Sequence, residues 1–296
     1  MSPRSVGPLQ TLDADALDDR LGAWAAARAS PPSTGRRRVA VDGKTLRGSA
    51  TTDQPGRHLL TALDHAHGVV LGQVEVATKT NEIPMFRRLL DRIDIAGAII
   101  TADALHAQRA HADYLLDQRR AHYVLTVKRN QPHLHAQLSA LPWRQVPVAH
   151  EARERGHGRA EWRTVKLTAV VAGLGFPHAA QAIQIIRRRR PLGDKKWSTE
   201  TVYAITSLTA TQASPTELAQ VIRGHWGIED RLHWVRDVTY DEDRSQVRTA
   251  NGPRVMASLR NAAITALRLT GATNIAAALR HQARQTHRPL QTIKTC

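Results

Sequence analysis

The 296-residue chain contains one cysteine, and it is the last residue, Cys296. A single terminal thiol excludes an internal disulfide framework and a cysteine-rich zinc site, so stability has to come from packing. Aromatic residues are scarce, at 4%, which argues against a surface built mainly to stack on successive bases of a single strand. No apolar run approaches the roughly 20 residues that span a bilayer. The first residues, MSPRSVGPLQTLDADALDD, lack the apolar centre of a secretory signal, and the expectation is a cytoplasmic, nucleoid-associated chain. Acidic residues are also in deficit, with 26 Asp and Glu against 42 Lys and Arg, a formal charge of +16. A compact globule with that charge repels itself unless a polyanion neutralises it. Nucleic acid is the first partner to expect and an anionic membrane surface the second.

The hydrophobic content, 42%, is enough for a real core, and one core carrying an insertion is the expected plan. Residues 12–29 put Leu17, Leu21, Trp24 and Ala25 on one helical face. Pro31, Pro32 and Gly35 break that helix, and Arg36-Arg37-Arg38 leads into VAVDGKTLRGS, a buried strand with a glycine-rich exit. HLLTALD and VVLGQVEV, joined by HAHG, read as an antiparallel pair, completing a three-stranded meander. Asn81 is placed to cap the helix EIPMFRRLLDRI, and GAIITADA then reads as a buried strand ending at Asp103. A helical segment over 106–120 and a strand over 121–127 follow.

This order fits an α/β fold, a ribonuclease H-like mixed sheet flanked by helices. From about 130 to 210 the composition shifts to the β-prone runs EWRTVKLTAVVAG, AAQAIQIIRRRR and TETVYAITSL, which we read as a β-rich insertion before the last candidate acid. Helix returns at SPTE, where Ser214 is a cap and Pro215 the first helical residue, and runs to about 236. GPRVMASLRNAAITALRLT and ATNIAAALRHQAR close the chain as helices. The plan is a residual helical segment over 1–35 and one domain over 36–296.

Phosphodiester chemistry with two divalent ions needs a few carboxylates converging on one point. Asp42 lies inside an apolar strand and Asp103 at the end of another, where a charge is costly unless paired or metal-bound. Glu229 lies on a helix with His225 four residues before it, His233 four after and Arg236 seven after, a shared polar face. Each has a plainer alternative: Asp42 as a turn residue before Gly43, Asp103 as an N-cap, Glu229 as a solvated helix residue. His225, Glu229 and His233 could also form a helical metal site, although this is not the HExxH spacing. Asp64, Asp237, Asp241, Glu242 and Asp243 remain substitutes, the last four as a loop cluster held by Arg244 and Arg248. Trp143, Trp162 and Trp197 fall in the insertion, with core packing the default and stacking on an extruded base the alternative.

At these residues the sequence resembles the insertion-sequence transposases of the ISAs type, a bacterial group of the carboxylate-triad (DDE) class related to the IS-four group. The stretches that carry the resemblance are VAVDGKTLRGS, ATKTNEIP, IITADALHAQ, ERGHGRAEWR, GHWGIEDRLHWVRDVTYDED and RVMASLRNAA, over about residues 39–280. The resemblance implies a ribonuclease H-like fold and metal-dependent cleavage and strand transfer with Mg2+ or Mn2+, as two ions. It implies Asp42, Asp103 and Glu229 as the catalytic and metal-binding acids. The longer interval, from Asp103 to Glu229, leaves room for the insertion. Of the Tyr, Arg, Glu, Lys signature of the wider group, Ile222, His225, Glu229 and Arg236 occupy the corresponding places, and only the Glu is kept. Relatives usually carry several dozen helical residues before the first strand, so a shortened copy is expected.

The implied partner is double-stranded DNA, both transposon ends and target, engaged by a homodimer in a synaptic complex. Lys44, Arg47, His225, His233 and Arg236 are the candidate DNA contacts. A nuclease without strand transfer is the nearest rival, and a catalytically silent DNA-binding relic or regulator the second.

Overall fold

The structure is a computed structural model and describes residues 7–29, 35–77, 81–156, 158–170 and 174–296. Pro31 and Pro32, the start of ATKTNEIP after Ala77, and His157 lie outside the described residues. Two compact units divide the chain, Met1–Ile95 with His225–Cys296, and Ala96–Gly224.

In the first unit a short helix α1 (Pro8–Thr11) precedes α2 (Ala14–Arg28), which starts where Asp13 accepts a hydrogen bond from Ala16 N. Strands β1 (Arg38–Leu46), β2 (Arg57–Asp64) and β3 (Val70–Val76) form the expected antiparallel meander, with Asp42 opposite Thr61 and Ala40 opposite Leu63. β2 is buried along most of its length, as a central strand requires, and its HLLTALD sequence supplies the apolar residues. Gly22 of α2 faces the backbone of β3 so closely that a Cβ would strike Leu71 O, so a residue with no side chain sets how near this helix can lie. Helix α3 (Glu82–Leu90) is capped by Asn81, whose side chain accepts from Ile83 N at 3.1 Å, and buries Phe86, Leu89 and Leu90.

In the second unit β4 (Ile99–Ala102) pairs in parallel with β5 (His122–Val127), the connection running through α4 (Arg109–Asp113) and a π-helical turn, Tyr114–Gln118. Helix α5 (Pro132–Ala140) follows. Then four antiparallel strands, β6 (His150–Gly156), β7 (Arg159–Ala169), β8 (Gln181–Pro191) and β9 (Ser198–Thr206), form the β-rich insertion, with β9 pairing back onto β5. α5 and β6 go beyond the runs singled out in the sequence. Helix α6 (Pro215–His225) begins at Ser214, whose hydroxyl accepts from Glu217 N, and packs Leu218 and Val221 onto Val165, Ile183 and Ile185.

The remaining part of the first unit runs through two π-helical turns, Glu229–His233 and Val235–Thr239, a short turn Glu242–Arg244, and helices α7 (Gly252–Leu269), α8 (Ile275–Ala283) and α9 (Arg288–Thr295). Ile228, Leu232 and Val235 pack with Ala40, Leu63 and Val70 of the meander and with Ile264, Leu267 and Ile275. The architecture is a mixed α/β fold. Three antiparallel strands, a helix, then two parallel strands with a helical crossover reproduce the ribonuclease H-like order read from the sequence. Among the described residues no helix is long and apolar enough to cross a membrane.

Candidate active site

Successive side chains of a strand alternate between faces, so Asp42 and Lys44 of β1 project together while Gly43 projects oppositely. Behind Gly43 lies a hydrogen-bonded chain, Thr45 Oγ1 to His58 Nδ1 at 2.8 Å and His58 Nε2 to Glu82 Oε1 at 2.7 Å. A Cβ at position 43 would sit 2.7 Å from His58 Nε2, so the glycine lets Glu82 and His58 press against the back of the strand that carries Asp42.

On the Asp42 face the first π-helical turn supplies Glu229 and His233. His233 Nδ1 is 3.6 Å from Asp42 Oδ2 and 3.4 Å from Glu229 Oε2, with the imidazole buried, Asp42 mostly buried and Glu229 half-exposed. His233 Nε2 is buried with no hydrogen-bond partner among the described residues. Desolvation holds the imidazole below its ordinary range, against the pull of the Glu229 carboxylate. Glu229 is held down at about 2, first by its hydrogen bond with His233 and further by Asp42 and Lys44, against partial burial. An imidazole with Glu229 as its nearer carboxylate carries its proton on Nδ1, the nitrogen that faces it.

Lys44 is buried and its Nζ donates to both carboxylate oxygens of Asp237 at 2.6 Å, so this cation is already engaged. Arg236 is fully buried. Its Nε donates to Glu242 Oε2 at 2.9 Å, Nη2 to Glu242 Oε1 at 3.1 Å and Nη1 to Asn261 Oδ1 at 3.3 Å, while Arg260 Nη1 reaches the same Glu242 at 3.1 Å. Arg236, expected among the DNA contacts, is sealed in this network with no exposed surface. Glu242, expected in a loop cluster held by Arg244 and Arg248, is the buried anion at its centre, bound instead by Arg236 and Arg260. Arg248 donates to Gly48 O at 3.1 Å. Arg47 is largely exposed, 3.6 Å from Asp243. His225 is buried, edge-on to Trp226, and its charge adds to the burial that holds His65 at about 3.

Asp103, in the second unit, follows the buried strand β4. Its Oδ1 accepts from Leu105 N at 2.9 Å and caps the short turn Ala104–His106, which Asn130 also holds through Ala104 O. The capping alternative for Asp103 is therefore realised locally. Of the substitute acids, Asp64 is buried between Arg37 and His67, and Asp241 pairs with Arg244. What sequence reasoning did not supply is the bridge from His233 to Asp42. The four-residue spacing from Glu229 flags half of it, and the other half needs the tertiary contact.

A divalent ion is implied by a carboxylate site of this kind, and the donors fit one. An oxygen of Asp42, an oxygen of Glu229 and a nitrogen of His233 lie within 4.8 Å of one another, His233 is buried, and its Nε2 has no hydrogen-bond partner among the described residues. Carboxylate oxygens suit magnesium and manganese, and an imidazole nitrogen among them shifts preference toward manganese. In the second unit Asp113, Asp117 and His178 form another such group, all exposed.

The chain belongs to the transposase DDE domain family, whose model matches residues 33–266. It is 32% identical over 251 residues to "Putative transposase YncI" of Escherichia coli O157:H7, covering 78% of this chain and 61% of that protein. It is 30% identical over 246 residues to "H repeat-associated putative transposase YhhI" of Escherichia coli K12, covering 77% and 63%. The chain thus spans about three fifths of the length of these relatives. A solved structure of piggyBac transposase in a synaptic complex with hairpin DNA aligns with a TM-score of 0.44 at 14% identity, covering 80% of this chain and 47% of that one, a likeness too distant to build on.

Proposed function

We propose that this chain cuts DNA at transposon ends and joins the freed ends to target DNA, with Asp42, Asp103 and Glu229 as its catalytic acids. The observation that carries the proposal is the pair of carboxylates, Asp42 on a buried strand and Glu229 on a helical turn, held on one buried imidazole. Asp103 is proposed as the remaining acid on the motif IITADALHAQ that carries the resemblance.

Asp42 and Glu229 would hold the divalent ions, magnesium or manganese and two in number, with His233 beside them. The chemistry such ions supply is activation of the attacking water or 3′ hydroxyl and stabilisation of the leaving 3′ oxygen. The protein's own contribution is to present ionised carboxylates. Glu229, held at about 2, is ionised across the neutral range, and His233 fixes its rotamer and that of Asp42. Lys44, paired with Asp237, helps hold Glu229 ionised without bonding to it. Arg47 is the exposed cation of the same strand region and the candidate to meet a phosphate. Two transposon ends brought together call for two copies of the active site, and a homodimer meets that requirement.

The test is cleavage and strand transfer on DNA carrying the element's own ends, with the intact chain and its Asp103→Ala variant, both confirmed folded. Metal-dependent cutting and joining that vanish in the variant support the proposal. Cutting without joining makes the chain a nuclease. A folded chain that binds these ends but cuts with neither Mg2+ nor Mn2+ refutes the proposal and favours a DNA-binding relic.

A further inference from the structure

The sheet formed by β6 to β9 sorts its charges by face. In antiparallel pairs, directly opposed residues project to the same side. Glu154 opposes Glu161, Arg163 opposes Arg187, and Arg187 opposes Glu200, so these share one face. There every carboxylate is engaged by arginines. Glu161 is within 4.0 Å of Arg159, Arg163, Arg187 and Arg189, Glu200 pairs with Arg187 and Arg189, and Arg223 of α6 grips Glu154.

The other face carries Arg153, Trp162 and Arg188 in register across three strands, then Arg155, Ala160 and Arg190 in the next row. The four strands contain four acids, Glu151, Glu154, Glu161 and Glu200, and only Glu151 projects to this side. Its contact is with Arg153, and both are exposed, so the pair neutralises little. Glu151 apart, no carboxylate of these strands projects to this face, and the guanidinium groups lie near aromatic rings. Arg153 sits 4.6 Å and Arg188 4.9 Å from the centre of the Trp162 ring, and Arg190 sits 5.1 Å from that of Trp197. Arg190 Nε has no hydrogen-bond partner among the described residues. Beside Trp162 is a cleft of about 220 Å3 reaching Thr164, Lys166 and Ile186. One end of the face is closed, where Trp143 stacks on Tyr203 and Lys166 Nζ donates to Trp143 O, and the arginine end is open.

We propose that this arginine-tryptophan face is a docking surface for the phosphate backbone of duplex DNA. Charge complementarity selects the occupant. The acids that could have balanced these arginines are spent on the opposite face, the chain carries +16 overall, and a row of fixed cations is what a polyanion with regularly spaced charges requires. Guanidinium groups resting over tryptophan rings are partly positioned before any ligand arrives, which lowers the entropy cost of binding. The inference rests on the DNA-handling function proposed above and assigns it a surface outside the carboxylate site.

The experiment uses the full chain without metal and a labelled duplex, following binding by fluorescence anisotropy across a salt series. The triple variant Arg153→Ala, Arg188→Ala, Arg190→Ala is compared with a control losing three exposed cations elsewhere, Arg280→Ala, Arg284→Ala, Lys294→Ala. The salt slope of log K should fall by about one per arginine in the face variant, with a loss of at least about tenfold in affinity at physiological salt, and little in the control. Should the alanine variant fail to fold, Arg→Met at the three positions keeps the aliphatic stems on the rings and removes the charge. An unchanged slope in the folded face variant, or an equal loss in the control, overturns the inference, the former favouring an acidic protein as occupant. A chain that binds through this face yet never cuts refutes the proposed function alone. One that cuts and binds normally after the triple substitution refutes this inference alone.

Discussion

A single imidazole nitrogen serves two carboxylates in this protein, with His233 Nδ1 3.6 Å from Asp42 and 3.4 Å from Glu229. It ties a strand residue from the first fifty positions to a helical turn near position 230. Supporting groups of this kind are worth about 10- to 100-fold in metal affinity. His233→Ala should therefore weaken Mn2+ binding by that factor and cost about 1–3 kcal/mol of stability through the loss of a buried, hydrogen-bonded side chain. Calorimetric titration of Mn2+ into folded wild-type and variant protein reads the first effect and urea unfolding the second. Equal Mn2+ affinities would remove His233 from the site.

The Lys44–Asp237 pair predicts an asymmetry. Asp237→Ala strands a buried ammonium, at a cost of about 2 kcal/mol or more. Lys44→Met removes the buried charge itself and leaves the partly exposed Asp237 to water, and should cost less. Urea midpoints of the two variants decide it, and equal losses would mean that Lys44 reaches water when unpaired.

Glu242 lies beneath two arginines, Arg236 and Arg260. Glu242→Ala should cost about 3–5 kcal/mol, because it leaves the fully buried Arg236 without its counter-ion. A loss under about 1 kcal/mol by thermal or urea unfolding would show that this network is not part of the folded core.

Asp15 gives a pH dependence. Its carboxyl is held below the usual range chiefly by the hydrogen bond from Arg254, with Arg92 assisting, against partial burial. A carboxyl whose folded pKa is depressed contributes stability above its unfolded value near pH 4 and loses it as the pH falls through the folded value. The pair is partly exposed, so the contribution is at most about 1 kcal/mol. The stability gap between wild type and Asp15→Asn should be open at pH 7 and close below pH 4. A gap independent of pH would place the effect in packing instead.

Much of this was legible in the sequence where local signals are strong. The meander follows from HLLTALD and VVLGQVEV, Asn81 and Ser214 cap the helices they precede, and Asp103 ends its strand. The helix α5 was not legible, because its burial rests on two leucines, Leu134 and Leu138. Nor was β6, whose HEARERG sequence has no apolar alternation because its partners are charges and a tryptophan ring. Arg236 shows the same limit at the site. A seven-residue spacing returns to one face of an α-helix, but two π-helical turns intervene, each closing over an extra residue. The spacing then turns Arg236 inward to Glu242 while His233 keeps its contact with Glu229.

The most direct test of the account is metal-dependent cleavage of DNA bearing the element's ends by wild type, Asp42→Asn and Glu229→Gln. Loss of a metal-held carboxylate worth several kcal/mol in the transition state should slow cutting by at least about a hundredfold. DNA binding without metal and the unfolding midpoint should stay close to wild type. Cleavage at the wild-type rate by either folded variant would contradict the account, because the carboxylates joined on His233 would then not be the catalytic centre.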